Sequence, residues 1–221
     1  MWAGSFFTSG DFLKSLCVFD FDGTLVDSMS VFADIAGRLI EKFYSIPHAQ
    51  ARQLYLDTSG VPFFEQLETL FPADFRNAEC ALAFEEEKKQ SYFEQPLIEG
   101  ADEVLKTLKD RGVQIAISSN NYQKLVKQFV QKRGLVCDYV LGYEPDFAKG
   151  KPHFDFLKQT LSLDNQDIVF VGDSLKDGEK AMDCSIDFVV KTGTFSKKDF
   201  LKNFPKAAVI QSLNELIHVI Q

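Results

Sequence analysis

Five short runs rich in Val, Ile, Leu and Phe punctuate the chain, at 15–20, 113–118, 137–141, 168–172 and 187–191. Continuous apolar runs of this length read as strands buried on both faces. Stretches with helical spacing follow the second, third and fourth runs, at 122–132, 153–161 and 177–183. Another, at 101–110, precedes the second run and gathers Val104, Leu105 and Leu108 on one face, with charges on the other. Strands alternating with helices predict parallel β-α units, and right-handed crossovers put helices on both faces of the sheet. The expected fold class is α/β, a doubly wound parallel-sheet, Rossmann-like core.

One interval breaks the alternation. From about 31 to 93 there is no strand pattern, only amphipathic stretches interrupted at Pro47, at Gly60-Val61-Pro62 and at Pro72. That is too long for one crossover helix and predicts an inserted small all-helical cap. Phe32, Phe43, Phe63, Phe64, Phe71, Phe75, Phe84 and Phe93 are the candidates for its own core. The expected boundaries are 11–28 with 97–221 for the catalytic core and 29–96 for the cap. Linkers near 27–31 and 93–100 are where cap and core would hinge.

Composition narrows the class of partner. A net charge of −8 over 221 residues argues against a broad nucleic-acid surface. No apolar run reaches the roughly 20 residues of a membrane span. Residues 1–10 lack the basic and apolar regions of a secretory leader and read as a loose arm. The four cysteines form no CxxC pair, and Cys17 and Cys137, at the edges of apolar runs, read as buried thiols in a reducing, cytoplasmic compartment. Nothing in the sequence sets an oligomeric state.

Ligands of open α/β sheets bind outside the carboxyl ends of the strands. The first run ends in Asp20-Phe21-Asp22-Gly23-Thr24, and the fourth in Gly172-Asp173-Ser174-Leu175-Lys176-Asp177. Carboxylates so close repel unless a cation neutralises them, and an all-oxygen set suits Mg²⁺. The second run ends in Ser118-Ser119-Asn120-Asn121, which offers hydroxyls and amides to phosphate oxygens. After the third comes Lys149-Gly150-Lys151-Pro152, where Lys151 can present a point charge at a helix start. Acid, hydroxyl, base and acid at successive strand ends describe one site for a phosphate and a hard cation.

Asp20-Phe21-Asp22-Gly23-Thr24-Leu25-Val26-Asp27-Ser28 resembles the first signature of the haloacid dehalogenase superfamily, and the three other clusters are similar to its remaining motifs. A helical insert between the first two motifs resembles the subgroup containing phosphoglycolate phosphatase and β-phosphoglucomutase. The resemblance implies a Mg²⁺-dependent phosphatase acting on a small phosphorylated metabolite. Asp20 would be the nucleophile that forms an aspartyl-phosphate, and Asp22 the general acid and base. Mg²⁺ would be held by Asp20, the backbone carbonyl of Asp22, Asp173 and Asp177. Ser118 and Lys151 would complete the catalytic set. Together with Gly23, Thr24, Ser119 and Asn120 they would hold the phosphate. Ser118 is favoured over Ser119 because it follows the strand directly. Asp22 argues against C–Cl or C–P cleavage, since the acid serves an ester leaving group. A sugar phosphomutase is the alternative, and a non-catalytic phospho-ligand sensor a more distant one. His153 is expected to have a surface or capping role. Specificity is expected from the cap, through 57–64 or cations such as Arg38, Lys42 and Arg52.

Overall fold

The computed structural model describes residues 14–220. The expected arm at 1–10 and the first residues of the expected core, 11–13, lie outside the described residues. Among the described residues the chain divides into two compact units, one formed by 14–25 with 98–220 and the other by Val26–Leu97.

Among the described residues the first unit is built on six strands: β1 (Leu16–Phe19), β2 (Gln114–Tyr122), β3 (Tyr139–Tyr143), β4 (Ile168–Gly172), β5 (Asp187–Lys191) and β6 (Ala208–Ile210). All pairings are parallel and the order is β3-β2-β1-β4-β5-β6. The five expected strands are present. The sixth escaped notice because three residues of an edge strand carry no readable periodicity.

The helices of the first unit are α5 (Ala101–Asp110), α6 (Gln123–Arg133), α7 (Lys151–Leu161), α8 (Leu175–Asp183), α9 (Lys197–Asn203) and α10 (Leu216–Val219). They follow the four of the second unit, described below. Strand residues alternate between the faces. Leu16, Val18, Ala116, Ile168 and Phe170 point to one side and pack with Phe154 and Leu157 of α7 and Ala181 of α8. The chain leaves β1 toward β2 and β3, then returns across the sheet to β4. That reversal places the switch point between β1 and β4, where the following loops separate and leave a crevice at the carboxyl edge.

The second unit consists of α1 (Met29–Tyr44), α2 (His48–Asp57), α3 (Phe63–Leu70) and α4 (Asn77–Ser91). An antiparallel bridge between Val26 and Leu97 ties its two ends. Its centre is aromatic: Phe63 lies 4.4 Å from Phe84 and 5.8 Å from Tyr55, and Phe32 lies 6.4 Å from Phe84, between ring centroids. Phe64 and Phe75, expected in this core, are exposed instead. Arg38 and Arg52 are spent on ion pairs with Glu87 and Asp34.

Phe170 is wholly buried between Phe154, at 5.2 Å, and Phe188, at 6.0 Å. Phe170→Ala is expected to cost about 3–5 kcal/mol in a denaturant melt. The exposed Phe156→Ala, cut in the same way, should cost under about 1 kcal/mol. Equal losses would contradict this account of the core.

Candidate active site

The site begins where β1 runs out. The Asp20 amide donates to the Val171 carbonyl of β4 at 2.9 Å, so the ladder fixes Asp20 at the switch point. The chain then turns, with Gly23 at φ +80°, and a side chain at 23 would overlap the Asp173 carboxylate. Glycine is needed for both reasons: the left-handed backbone and the close approach. Thr24 places its hydroxyl 3.3 Å from both Asp20 Oδ2 and Asp173 Oδ1. It is fully buried and braces the two acids, a different use from the phosphate contact expected of it.

β4 delivers the other carboxylates. Asp173 follows it directly and accepts a 2.8 Å hydrogen bond from the Thr194 hydroxyl. Ser174 caps α8, its Oγ accepting from the Asp177 amide at 3.1 Å and donating to Asp177 Oδ2 at 2.7 Å. This capping box satisfies the first turn and holds Asp177 inward. Asp20, Asp173 and Asp177 are all buried, and each offers an oxygen within 4.8 Å of the others.

The cation among them is Lys149. Its Nζ lies 2.6 Å from Asp20 Oδ1 and 2.6 Å from Asp177 Oδ1, with the ammonium almost wholly buried. Lys151, expected in this place, is exposed and paired with Asp155 one turn along α7. The physical reason is the helix start. Lys151 is the first residue of α7 and its side chain runs along the helix surface, whereas Gly150 at φ +113° turns the preceding Lys149 into the sheet edge.

β2 needs a similar correction. Ser118 pairs in register with Leu141, but Tyr122 pairs with Tyr143, so four steps of β2 face two of β3. Such a bulge re-aims the side chains inside it. Ser118, just before it, hydrogen-bonds His153 Nδ1 at 2.8 Å, and His153 Nε2 meets the Gly142 carbonyl at 3.1 Å. A carbonyl only accepts, so Nε2 carries the proton and Nδ1 accepts from Ser118. The Ser118 hydroxyl is thereby committed to α7, and His153 is a buried tie between β2 and β3 with no surface or capping role. Ser119 lies inside the bulge, its Oγ accepting from the Asn121 amide at 3.1 Å. Asn121 Nδ2 donates to Asp22 Oδ2 at 2.6 Å. The face carrying Ser119 and Asn121 is therefore the one turned to Asp22, and the better candidate for phosphate is Ser119. The Asp22 carboxylate is not part of the buried trio.

One further residue escaped the sequence reading, and another was given no role of its own there. Thr194 follows β5 with no motif to flag it. Asn121 was visible only as one amide among several.

The electrostatics follow from the geometry. Burial pushes the Asp20 carboxyl up; Lys149 opposes this, while Asp177 and Asp173 add to it. Burial, then the Asp177 charge, pushes Asp173 up to about 6. Lys149 is held protonated: burial works against its charge, but Asp177 and Asp20 outweigh it. Three buried carboxylates around one ammonium form an all-oxygen cluster that could hold a hard cation.

Burial holds the His153 imidazole down, to about 4. The unfolded chain, near 6.5, takes up a proton that the folded one refuses, so stability should fall as pH drops from about 6.5 to about 4. This group's share is roughly 3 kcal/mol at the low end. Chemical denaturation across that window should show a shallower decline in His153→Gln than in the wild type; identical slopes would contradict the buried neutral histidine.

Comparison with known proteins agrees with this geometry. Residues 17–191 match the family model described as haloacid dehalogenase-like hydrolase. A phosphoglycolate phosphatase of Synechococcus elongatus is 26% identical over 83% of this chain and 86% of its own. A phosphoserine phosphatase of Campylobacter jejuni is 24% identical over 93% and 99%. Among solved structures, a predicted phosphatase from Clostridium acetobutylicum superposes with a TM-score of 0.80 at 22% identity, covering 95% of this chain and 99% of its own. A haloacid dehalogenase-like family hydrolase from Streptococcus pneumoniae gives 0.79 at 21%, covering 94% and 98%. With a family match spanning most of its length, and the carboxylates and lysine gathered at one sheet edge, the chain belongs to the haloacid dehalogenase-like hydrolases and is an enzyme of that family.

Proposed function

We propose that the protein is a Mg²⁺-dependent phosphatase that hydrolyses a small phosphomonoester through an aspartyl-phosphate on Asp20. The observation that carries this reading is the buried trio of Asp20, Asp173 and Asp177 with Lys149 in contact with two of them. An all-carboxylate set with surplus negative charge fits Mg²⁺. Asp20, Asp173 and Asp177 would hold the ion, with the Asp22 carbonyl the further ligand expected from the family resemblance. Once bound, the ion would lower the repulsion between an anionic nucleophile and an anionic phosphate.

The remaining chemistry belongs to the chain. One oxygen of Asp20 attacks phosphorus, and the bond to the ester oxygen breaks with its electron pair going to that oxygen. Asp22 supplies the proton that makes it an alcohol. Asp22, now a carboxylate, takes a proton from water as the water oxygen attacks phosphorus. The phosphorus–Asp20 bond then breaks, releasing phosphate and restoring the carboxylate. Lys149 orients Asp20 and offsets charge on the phosphoryl oxygens, and Ser119 would donate to one of them. Thr24 and Thr194 keep the acids from turning away. Phosphoryl transfer depends chiefly on positioning and electrostatics, which is what this site supplies.

Both curated relatives are named for small phosphomonoesters that carry a carboxylate. The substrate is accordingly sought among small phosphorylated acids, phosphoglycolate first. The cysteines are all free, in keeping with a reducing, cytoplasmic setting. Among the described residues no helix is long and apolar enough to cross a membrane.

Phosphate release from a panel of small phosphomonoesters should require Mg²⁺ and be abolished in Asp20→Asn. Lys149→Ala should lower kcat/KM by about 100-fold or more, while Lys151→Ala stays within about 2-fold. Release that survives Asp20→Asn would refute the nucleophile; a larger loss at Lys151 than at Lys149 would refute the placement of the cation.

A further inference from the structure

The bulge in β2 is built with more care than a phosphate-binding hydroxyl requires. Gly142 of β3 lies against it: a side chain there would come within 2.5 Å of Gln123 Cα and 2.7 Å of the Asn121 carbonyl oxygen. Gln123 clips the bulge to β3, its Nε2 donating to the Val140 carbonyl at 2.8 Å and its Oε1 accepting from the Gly142 amide. On the other side His153 ties the Gly142 carbonyl to Ser118, where the bulge begins. Inside the bulge fastened this way lies Asn121, which is 5% exposed and bonded to Asp22 at 2.6 Å.

The geometry points to Asn121 as a positioning residue for Asp22, with the bulge against Gly142 as the device that aims it. This rests on the assignment of Asp22 as the general acid and base. Residue type supports it. A carboxyl that must serve in both protonation states needs a neighbour that can donate to one and accept from the other. A primary amide does both by presenting its NH₂ or, after a flip, its carbonyl. A lysine would serve only the charged form, and an apolar residue neither.

The contribution should show only where the leaving group needs its proton. An alkoxide leaves poorly without one, whereas p-nitrophenolate leaves unaided. The readout is kcat/KM, which covers formation of the aspartyl-phosphate, for p-nitrophenyl phosphate and for phosphoglycolate, or the alkyl ester of the panel that the wild type turns over fastest. Asn121→Ala is expected to lower the alkyl-to-aryl ratio of kcat/KM by about 10-fold or more, part of the roughly 100- to 10,000-fold that general acid catalysis contributes. Asn121→Leu keeps the volume, removes the donor, and should give the same change; it serves if the alanine variant folds poorly by circular dichroism. Gly142→Ala, which touches no reacting group, should lower the ratio in the same direction. Asp22→Asn is the control, with a larger drop. If Asp22→Asn lowers the ratio and the Asn121 variants do not, the positioning role is overturned and the acid stands. If Asp22→Asn leaves the ratio unchanged, or the wild type is silent toward either ester, the underlying reading fails and this one with it. Equal losses on both esters in the Asn121 variants would make the residue a binding or folding element and overturn the proposal.

Discussion

Lys149 is buried with its ammonium 2.6 Å from the carboxylates of both Asp20 and Asp177. Two ions so placed lose their hydration, and only close mutual contact offsets that loss. A third acid, Asp173, shares the space with the help of Thr24 and Thr194. The surrounding structure is arranged to permit this concentration of charge. Gly23 and Gly172 leave room for the Asp173 and Asp177 side chains, and the cap of α8 holds Asp177 by its own first turn. Removing the ammonium alone would leave buried carboxylates facing one another, a change of the kind that costs about 3–5 kcal/mol.

The sheet makes the arrangement possible. Because the chain reverses direction between β1 and β4, the loops carrying Asp20 and Asp173 part above neighbouring strands instead of packing on each other. The Asp20 amide bonded to Val171 transmits the rigidity of β4 to the Asp20 carboxylate. A site that must hold several like charges in fixed positions gains from resting on central strands whose faces are packed with Phe19, Phe170 and Val171. Rigid strands present the groups, and short loops and one bulge aim them.

What could be read in advance follows the same division. The five longer strands were legible because each is a buried apolar run, and the acids at their carboxyl ends were legible because a strand end is a position that topology makes meaningful. Two of the errors at the site are shifts of one or two residues. Lys149 and Lys151 are separated by a glycine whose conformation, φ +113°, decides which lysine turns inward. Ser118 and Ser119 are separated by the start of a bulge, which strand alternation does not reveal. Thr194 is brought to Asp173 from β5 by tertiary folding alone. In the helical unit, Phe64 and Phe75 were expected inside on hydrophobicity, but only the ring positions shared by facing helices could be buried.

The central claim is that the buried acids form a cation site with Lys149 as their internal partner. Thermal unfolding near neutral pH, with and without Mg²⁺, tests it most directly in the wild type and in Asp173→Asn. The account predicts that Mg²⁺ at about 100 times its dissociation constant stabilises the wild type by about 2.7 kcal/mol. It predicts little or no response in Asp173→Asn, which should be at least as stable as the wild type without the metal. A wild type indifferent to Mg²⁺, or a variant that responds as strongly as the wild type, would contradict it.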